Sequence, residues 1–184
     1  MKNTQTVPPT RFPDRLIEKA EARWWIAKTK SRQEKQLAFD FLEKEIEYYL
    51  PLYKKTYLLP AKPGCKRKKR FYMLPLFTGY IAFAQDSPHD IYKTGRVVQL
   101  IEVKNQQRFI KELSVVYRAL DKGHLVLPAT HNIEPEMEVE IIKGALKGVR
   151  GKVLNIRNSR FLMLSVEGMG KAMVRVGTDS VREI

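Results

Sequence analysis

The spacing of apolar residues changes once along the chain, and this change constrains the fold more than any other feature. In segments 37–46 and 109–120 apolar residues recur every three or four positions, as on one face of a helix. From residue 137 onward they alternate with polar residues, as in a half-buried strand. Between these parts the sequence has one glycine and two prolines and follows neither pattern. The predicted organisation is an N-terminal extension (1–22), a first domain (23–120), a linker (121–135) and a second domain (136–184).

The first domain has the alternation of strands and helices that is typical of an α+β fold. The four residues Ser31-Arg32-Gln33-Glu34 have the residue types of a capping box, which satisfies free N–H groups at a helix start. They predict a helix over about 32–46, and a second helix is expected at about 105–120. Strands are expected at 24–27, 48–57, 74–83 and 97–103. This order predicts an antiparallel sheet covered by helices.

The second domain contains only short segments of alternating hydrophobicity, separated by glycines. Five such segments fit into residues 136–184, which predicts a small SH3-like β-barrel. Glycines inside a helix cost about 1 kcal/mol each, so a helical form of this domain is disfavoured. We therefore expect an independent β domain on a flexible linker.

The charge of the chain indicates where a nucleic acid could bind. The net charge is +14, from 34 basic and 20 acidic residues, and most of the surplus lies before residue 136. A polyanion is a plausible partner of such a surface, although a solvated basic surface would show the same composition. The basic run 66–70 is expected at the tip of a hairpin, where it could contact upstream DNA or only keep the tip soluble.

The remaining composition predicts a non-enzymatic cytoplasmic protein. No apolar run reaches the roughly 18 residues needed to cross a bilayer, and the first residues lack the apolar stretch of a secretion signal. The single cysteine, Cys65, excludes an internal disulfide, and three scattered histidines do not make a metal site. No nucleophile elbow, P-loop or dinucleotide fingerprint is present, so we expect no catalytic residues and no cofactor.

Two segments carry a resemblance to a known family. Pro75-Leu76-Phe77-Thr78-Gly79-Tyr80 resembles the P-L-F-P-x-Y signature of the N-terminal domain of NusG/RfaH-type transcription elongation factors. The segment 139–153 is similar to the KOW pattern of the C-terminal domain of the same family. Thr78 and Ala145 replace prolines of these motifs, which removes a φ constraint from both turns. The extension and the second helix resemble specialised paralogues more than the general factor, in particular UpxY-like antitermination regulators.

The resemblance implies how such a protein would act. The N-terminal domain would bind the clamp helices of RNA polymerase and suppress pausing or termination. The signature positions imply polymerase contacts by Phe77, Tyr80 and Leu76. The KOW domain would recruit a partner such as a ribosomal protein or a termination factor. Since that domain is expected to move independently, Phe77 and Tyr80 should be accessible without a trigger.

Contacts with non-template DNA are a further implication of the resemblance. In specialised members the start of the first helix and the loop before the fourth strand face this DNA strand. The corresponding residues here are Lys30, Arg32, Gln33, Lys93, Thr94 and Arg96. Lysine and arginine pair with phosphates, whereas glutamine and threonine can bind base edges. Ordinary solvated charges near turns are the alternative interpretation of the same residues.

A second function stays open at the level of sequence. Barrels of the KOW type also occur in ribosomal proteins, so the chain could be an RNA-binding or ribosome-associated protein. The signature around Phe77 favours the transcription factor over this alternative.

Overall fold

The computed structural model describes residues 7–59, 69–129, 137–156 and 158–184. Its architecture is α+β, as predicted: a five-stranded sheet with two α-helices, followed by a small C-terminal domain that consists of a six-stranded sheet. A separate two-stranded hairpin extends from the first sheet. Residues 60–68, which include most of the basic run 66–70 that was expected at a hairpin tip, lie outside the described residues, whereas Lys69 and Arg70 belong to a strand.

The described residues of the N-terminal domain form seven strands and two α-helices. Its elements are β1 Arg11–Phe12, β2 Trp24–Thr29, α1 Glu34–Glu43, β3 Glu47–Tyr49, β4 Leu52–Leu58, β5 Lys69–Pro75, β6 Tyr80–Ala84, β7 Val97–Glu102 and α2 Gln106–Asp121. Two 3-10 turns lie at Ile17–Lys19 and Pro88–Thr94. The sheet has the antiparallel order β1-β3-β6-β2-β7, so the N-terminal extension supplies an edge strand of this sheet.

In the C-terminal β domain, the structure describes the five predicted strands and one more. Its strands are β8 Val126–Pro128, β9 Met137–Ile141, β10 Arg150–Ile156, β11 Ser159–Val166, β12 Gly170–Val176 and β13 Val181–Glu183. Their antiparallel order is β13-β9-β10-β11-β12-β8. Strand β8 comes from the segment interpreted as a linker, and its pairing with β12 joins those three residues to the second domain.

Alternating side chains place the N-terminal sheet between the two helices. In β6, Ile81 and Phe83 pack with Leu37 and Phe41 of α1. Ala82 and Ala84, one position later in each case, belong to the core on the side of α2. This period of two is the reason that a single strand can serve two cores. The apolar stripe of α1 is thus buried on one face of the sheet and that of α2 on the other.

The start of helix α1 differs from the predicted capping box. The N-cap is Gln33, whose side chain makes no capping hydrogen bond, and the helix is shorter than expected. Glu34 does not bind back to the helix start, because its Oε1 accepts a hydrogen bond of 2.6 Å from the backbone N–H of Gly79. At the other end, Glu45 adopts a left-handed φ of 54°, which stops the helix before residue 46.

Helix α2 is attached to the sheet by polar contacts at its start. The side chain of Asn105 accepts a hydrogen bond from the N–H of Arg108, as an N-cap residue does. The amide of Gln106 accepts from Trp24 N–H at 2.9 Å and donates to the carbonyl oxygens of Trp24 and Val103, also at 2.9 Å. These bonds fix the position of α2 on β2. Within the described ranges no helix is long and apolar enough to span a membrane.

Candidate functional site

The segment Leu76 to Tyr80, which carries the family signature, forms a tight turn between β5 and β6. The N–H of Tyr80 donates to the carbonyl of Phe77 at 3.2 Å, and the N–H of Leu76 donates to the carbonyl of Pro51 at 2.8 Å. Gly79 has a φ of 84°, a conformation that a glycine adopts without steric cost. Both backbone groups of Gly79 are satisfied, its N–H by Glu34 and its carbonyl by Thr29. The turn is therefore rigidly held.

The side chains of this turn are covered by other residues of the protein. Leu76 and Phe77 are only 2% and 3% exposed, and Tyr80 is partly buried. A Cβ placed on Gly170 of the C-terminal β domain would lie 3.6 Å from Cδ1 of Phe77, so the two domains touch at this ring. The expectation of an independently moving domain and of an accessible Phe77 was therefore wrong for this state of the chain.

The turn between β11 and β12 makes the closest approach to the N-terminal domain. A Cβ on Gly168 would lie 2.7 Å from Cδ1 of Ile26 and 3.9 Å from Cγ2 of Ile101. Gly168 also has a φ of 78°. This position requires glycine for two reasons, namely its left-handed backbone and the missing space for a side chain. The close fit places Phe77 and Ile26 under the same turn.

Apolar side chains continue this contact along helix α2. Val115 and Val116 belong to the same buried cluster as Leu164, Val166 and Met169 of the C-terminal β domain. Helix α2 therefore packs against the N-terminal sheet and against β11. The two domains share one continuous core instead of being separated by solvent.

A small polar network closes the edge of the interface. Oε2 of Glu112 on α2 accepts a hydrogen bond of 2.8 Å from the backbone N–H of Glu167 in the C-terminal β domain. Arg108 donates to Glu112 at 2.8 Å and lies 3.5 Å from the carboxylate of Glu167. The hydrogen bond and charge of Glu112 raise the pKa of Arg108. Arg108 and Glu167 are more than half exposed, so water screens this ion pair and it contributes little to stability.

The six candidate DNA contacts gather at one end of the N-terminal sheet, around Arg96. The N–H of Lys30 donates to the carbonyl of Arg96 at 2.8 Å, and Nη1 of Arg96 donates to Oε1 of Gln33 at 2.7 Å. Nε of Arg96 also forms an ion pair with Asp40 at 2.6 Å. The start of α1 and the segment before β7 are thus joined through one guanidinium group. The Asp40 carboxylate neutralises much of the charge of Arg96.

Lys93 and Thr94 are engaged in local contacts. Nζ of Lys93 lies 2.7 Å from Asp90, and this hydrogen bond lowers the pKa of the Asp90 carboxyl group. The hydroxyl of Thr94 donates to the carbonyl of Ile91 at 2.7 Å. Lys30 and Arg32 are exposed, and neither forms an ion pair with another described residue. They are therefore the members of this surface whose charge is most available to a ligand.

The residues that hold the two domains together differ in how visible they are in the sequence. Val115 lies about 100° around the helix from Val116, outside the stripe that faces the sheet. An apolar residue at this place on an otherwise charged side of α2 was the available signal of a second contact surface. Glu112 and Gly168 carried no comparable signal, because their roles depend on a residue distant in sequence.

Comparison with known proteins finds similarity in the N-terminal domain, which contains the signature turn. The family profile described as "NusG: Transcription termination factor nusG" matches residues 22–116, just over half of the chain. The transcription elongation factor Spt5 of Aeropyrum pernix is 27% identical over 112 residues, which are 60% of this chain and 70% of that protein. The match begins at the first predicted strand of the N-terminal domain and includes the signature turn.

Solved structures support the fold. The structure of NusG from Thermotoga maritima, which describes a domain interaction in that protein, has a TM-score of 0.53 at 14% identity. It covers 89% of this chain and 98% of its own. The match to an MjSpt4:Spt5 complex covers 88% of this chain and 96% of the other chain at 19% identity, with a TM-score of only 0.27. On the match of its N-terminal domain, the chain belongs to the NusG family of transcription factors.

Proposed function

We propose that this protein is a transcription elongation and antitermination factor that binds the clamp helices of RNA polymerase through its N-terminal domain. The binding surface is formed by Leu76, Phe77 and Tyr80. The observation that carries the proposal is the tight turn that holds these side chains beneath another domain. An apolar aromatic cluster on a rigid turn has the properties of an interface anchor. In this role the factor would suppress pausing or termination.

In this proposal the C-terminal β domain occupies the polymerase site until polymerase replaces it. The polar contacts between the domains are few, and the ion pair of Arg108 with Glu167 is largely in water. Separation of the domains leaves each sheet intact, since no strand of the N-terminal sheet pairs with the second sheet in the described residues. A ligand that binds only the open form shifts the population toward it. Phe77 then exchanges one apolar partner for another.

The separated C-terminal β domain would then recruit a second partner. Its similarity to the KOW pattern favours a ribosomal protein or a termination factor in this role. The interface side of this domain becomes exposed on opening and includes Leu164, Val166 and Met169, which belong to the same hydrophobic cluster as Phe77. Recruitment and polymerase binding are therefore coupled, because both require the open form.

The exposed cations beside Arg96 would contact the non-template DNA strand. Lys30 and Arg32 carry charges that no described carboxylate neutralises, and Gln33 is positioned by its hydrogen bond to Arg96. Phosphate contacts by the two cations would hold the strand next to the Gln33 amide. This surface lies in the same domain as Phe77, so polymerase and DNA would bind one rigid unit.

Opening the domains by mutation tests the polymerase site. Val115 is 7% exposed and belongs to the same hydrophobic cluster as Leu164 of the C-terminal β domain. A charged side chain there should therefore disfavour the closed form. We expect Val115→Glu in the full chain to increase affinity for purified RNA polymerase about tenfold or more, if the closed form exceeds about 90%. Adding Phe77→Ala and Tyr80→Ala should then reduce this affinity by at least about 30-fold.

A matched control separates opening from charge. Val98→Glu makes the same chemical change at an exposed position of β7 and should leave polymerase binding unchanged. Equal affinities of wild type, Val115→Glu and the triple variant, with all three folded by circular dichroism, would refute the assigned site. Co-purification of ribosomal subunits without polymerase would instead support the ribosome-associated function.

A further inference from the structure

The β4–β5 hairpin is built unlike the rest of the molecule. Its strands, Leu52–Leu58 and Lys69–Pro75, pair only with each other in the described part of the chain. Three aromatic side chains near its outer end are strongly exposed: Tyr57 at 42%, Phe71 at 61% and Tyr72 at 44%. Exposed rings of this size are costly in water and indicate a surface that another molecule covers.

The register of the hairpin distributes these rings over both of its faces. Phe71 is opposite Thr56, and Tyr57 is opposite Arg70. Because successive side chains of a strand point to opposite faces, Phe71 lies on one face, and Tyr57 and Tyr72 lie on the other. The two tyrosine rings meet edge to face at 5.7 Å. Each face of the hairpin therefore presents an aromatic surface.

A lysine accompanies the rings on each face. Nζ of Lys54 lies 4.3 Å from the centre of the Phe71 ring, and Nζ of Lys55 lies 5.2 Å from that of Tyr57. These cations, with Lys69 and Arg70, form no ion pair with another described residue. The sequence from 48 to 85 contains eight basic residues and no acidic residue. This charge favours a polyanion as the partner of the surface.

The exposed aromatic rings of the hairpin indicate which kind of polyanion it can bind. Aromatic side chains bind bases by stacking, and this requires bases whose faces are not already occupied by neighbours in a duplex. The ammonium group of Lys54 lies over the Phe71 ring, so a base that stacks there would displace it. The displaced ammonium group could then pair with the phosphate of the same nucleotide. We propose that the β4–β5 hairpin binds single-stranded nucleic acid, with Phe71 and Tyr57 as stacking platforms and Lys54 and Lys55 as phosphate contacts. This site is separate from the surface around Arg96.

Binding of labelled oligonucleotides to the full chain tests the proposal. The probes are the RNA strand U12, the DNA strand dT12 and a duplex of the same length. Twelve nucleotides lie within the range of about 4–16 nucleotides that single-strand binding sites cover. We expect the double variant Phe71→Leu with Tyr57→Leu to bind both single strands about tenfold or more weakly. The slope of log affinity against log salt should not change, because no charge is removed. A preference for U12 over dT12 would identify RNA as the natural ligand, and equal binding would include DNA.

Charge variants and a control on the same hairpin complete the experiment. Lys54→Gln with Lys55→Gln should lower the salt slope by about 1.4 for a single strand. Leu58→Ala, at an exposed but non-aromatic position, should leave binding unchanged. Duplex binding as tight as single-strand binding, full binding by the ring variant, or an equal loss in Leu58→Ala would overturn the proposal. Loss of polymerase binding by the ring variant, with unchanged oligonucleotide binding, would identify a protein-docking surface instead.

Discussion

At the scale of single residues, Arg32 combines an unfavourable backbone with an exposed charge. Its φ is 60°, the left-handed region that non-glycine residues rarely adopt. The residue occupies the turn between β2 and α1, which is closed by a hydrogen bond from Gln33 N–H to the carbonyl of Lys30. Strain of this kind costs on the order of 1 kcal/mol and is often found where a side chain has a function. A phosphate contact by the guanidinium group would explain an arginine in this place.

Two substitutions at this position separate stability from DNA binding. Arg32→Gly and Arg32→Gln both remove the charge, but only glycine removes the backbone strain. We expect both variants to weaken recruitment to elongation complexes and to lower its salt slope by about 0.7–0.9. Thermal unfolding should show Arg32→Gly to be at least as stable as Arg32→Gln. A wild-type salt slope in both variants would exclude Arg32 from the DNA surface.

Glu34 shows why some residue roles could not be predicted from sequence. Its position three residues after Ser31 matched a capping box. The residue is nevertheless buried, with 3% exposure, and its carboxylate accepts a hydrogen bond from the N–H of Gly79, far along the chain. The local pattern was correct in predicting a helix start nearby, because Glu34 is the first residue of α1. The competing long-range hydrogen bond has no local sequence signal. Glu34 thereby connects the first helix to the turn that presents Phe77.

At the scale of elements, periodicity predicted the regular segments well. The alternation predicted in 137–141 and 160–166 is found as strands β9 and β11, and the apolar stripe of 109–120 is found as helix α2. Two short strands were not predicted. Strands β1 and β8 are two and three residues long, and each joins its sheet by pairing with a strand that is distant in sequence. Such short edge strands have too few residues to show a period.

The β11–β12 turn is the element on which domain closure depends most directly. We expect Gly168→Asn to open the domains, because its side chain would collide with Ile26, which is itself buried. Asparagine is chosen because it tolerates a left-handed φ better than other residues. Gly148→Asn is the matched control, with a φ of 81° and no atom within 4 Å of its Cβ.

Small-angle scattering of these two variants measures the effect. The radius of gyration of Gly168→Asn should exceed that of the wild type, whereas Gly148→Asn should match the wild type. An unchanged radius in Gly168→Asn would mean that the turn adapts without domain separation, and the close fit would not control closure.

At the scale of the whole molecule, the described part of the N-terminal domain contributes to two hydrophobic cores, and only one of them also contains residues of the C-terminal β domain. The core between α1 and the sheet belongs to the N-terminal domain alone, with Leu37 and Phe41 at its centre. The core around α2 is shared with the C-terminal β domain. The first can persist when the domains separate, whereas the second must be divided. The sequence has no signal of this sharing, because each domain taken alone satisfies the periodicity of its own segments.

If the shared core separates into its two parts, the same chain can be closed when free and open when bound to polymerase. Closure protects Phe77 and the facing residues of the second domain from water, which limits unwanted association of apolar surfaces. Polymerase binding would use the same N-terminal residues and release the same C-terminal ones. We therefore propose an exchange: in the free chain the C-terminal β domain covers the Phe77 turn, and on polymerase it does not.

Hydrogen exchange of the full chain, free and bound to RNA polymerase, tests this exchange most directly. The amide of Glu167 is suited to the measurement, because its acceptor is the Glu112 carboxylate of the other domain. We predict that a peptide containing Glu167 is protected in the free chain and loses protection on polymerase, while peptides containing Phe77 remain protected in both states. Retained protection at Glu167 in the polymerase complex would show that the domains stay closed, and would contradict the account.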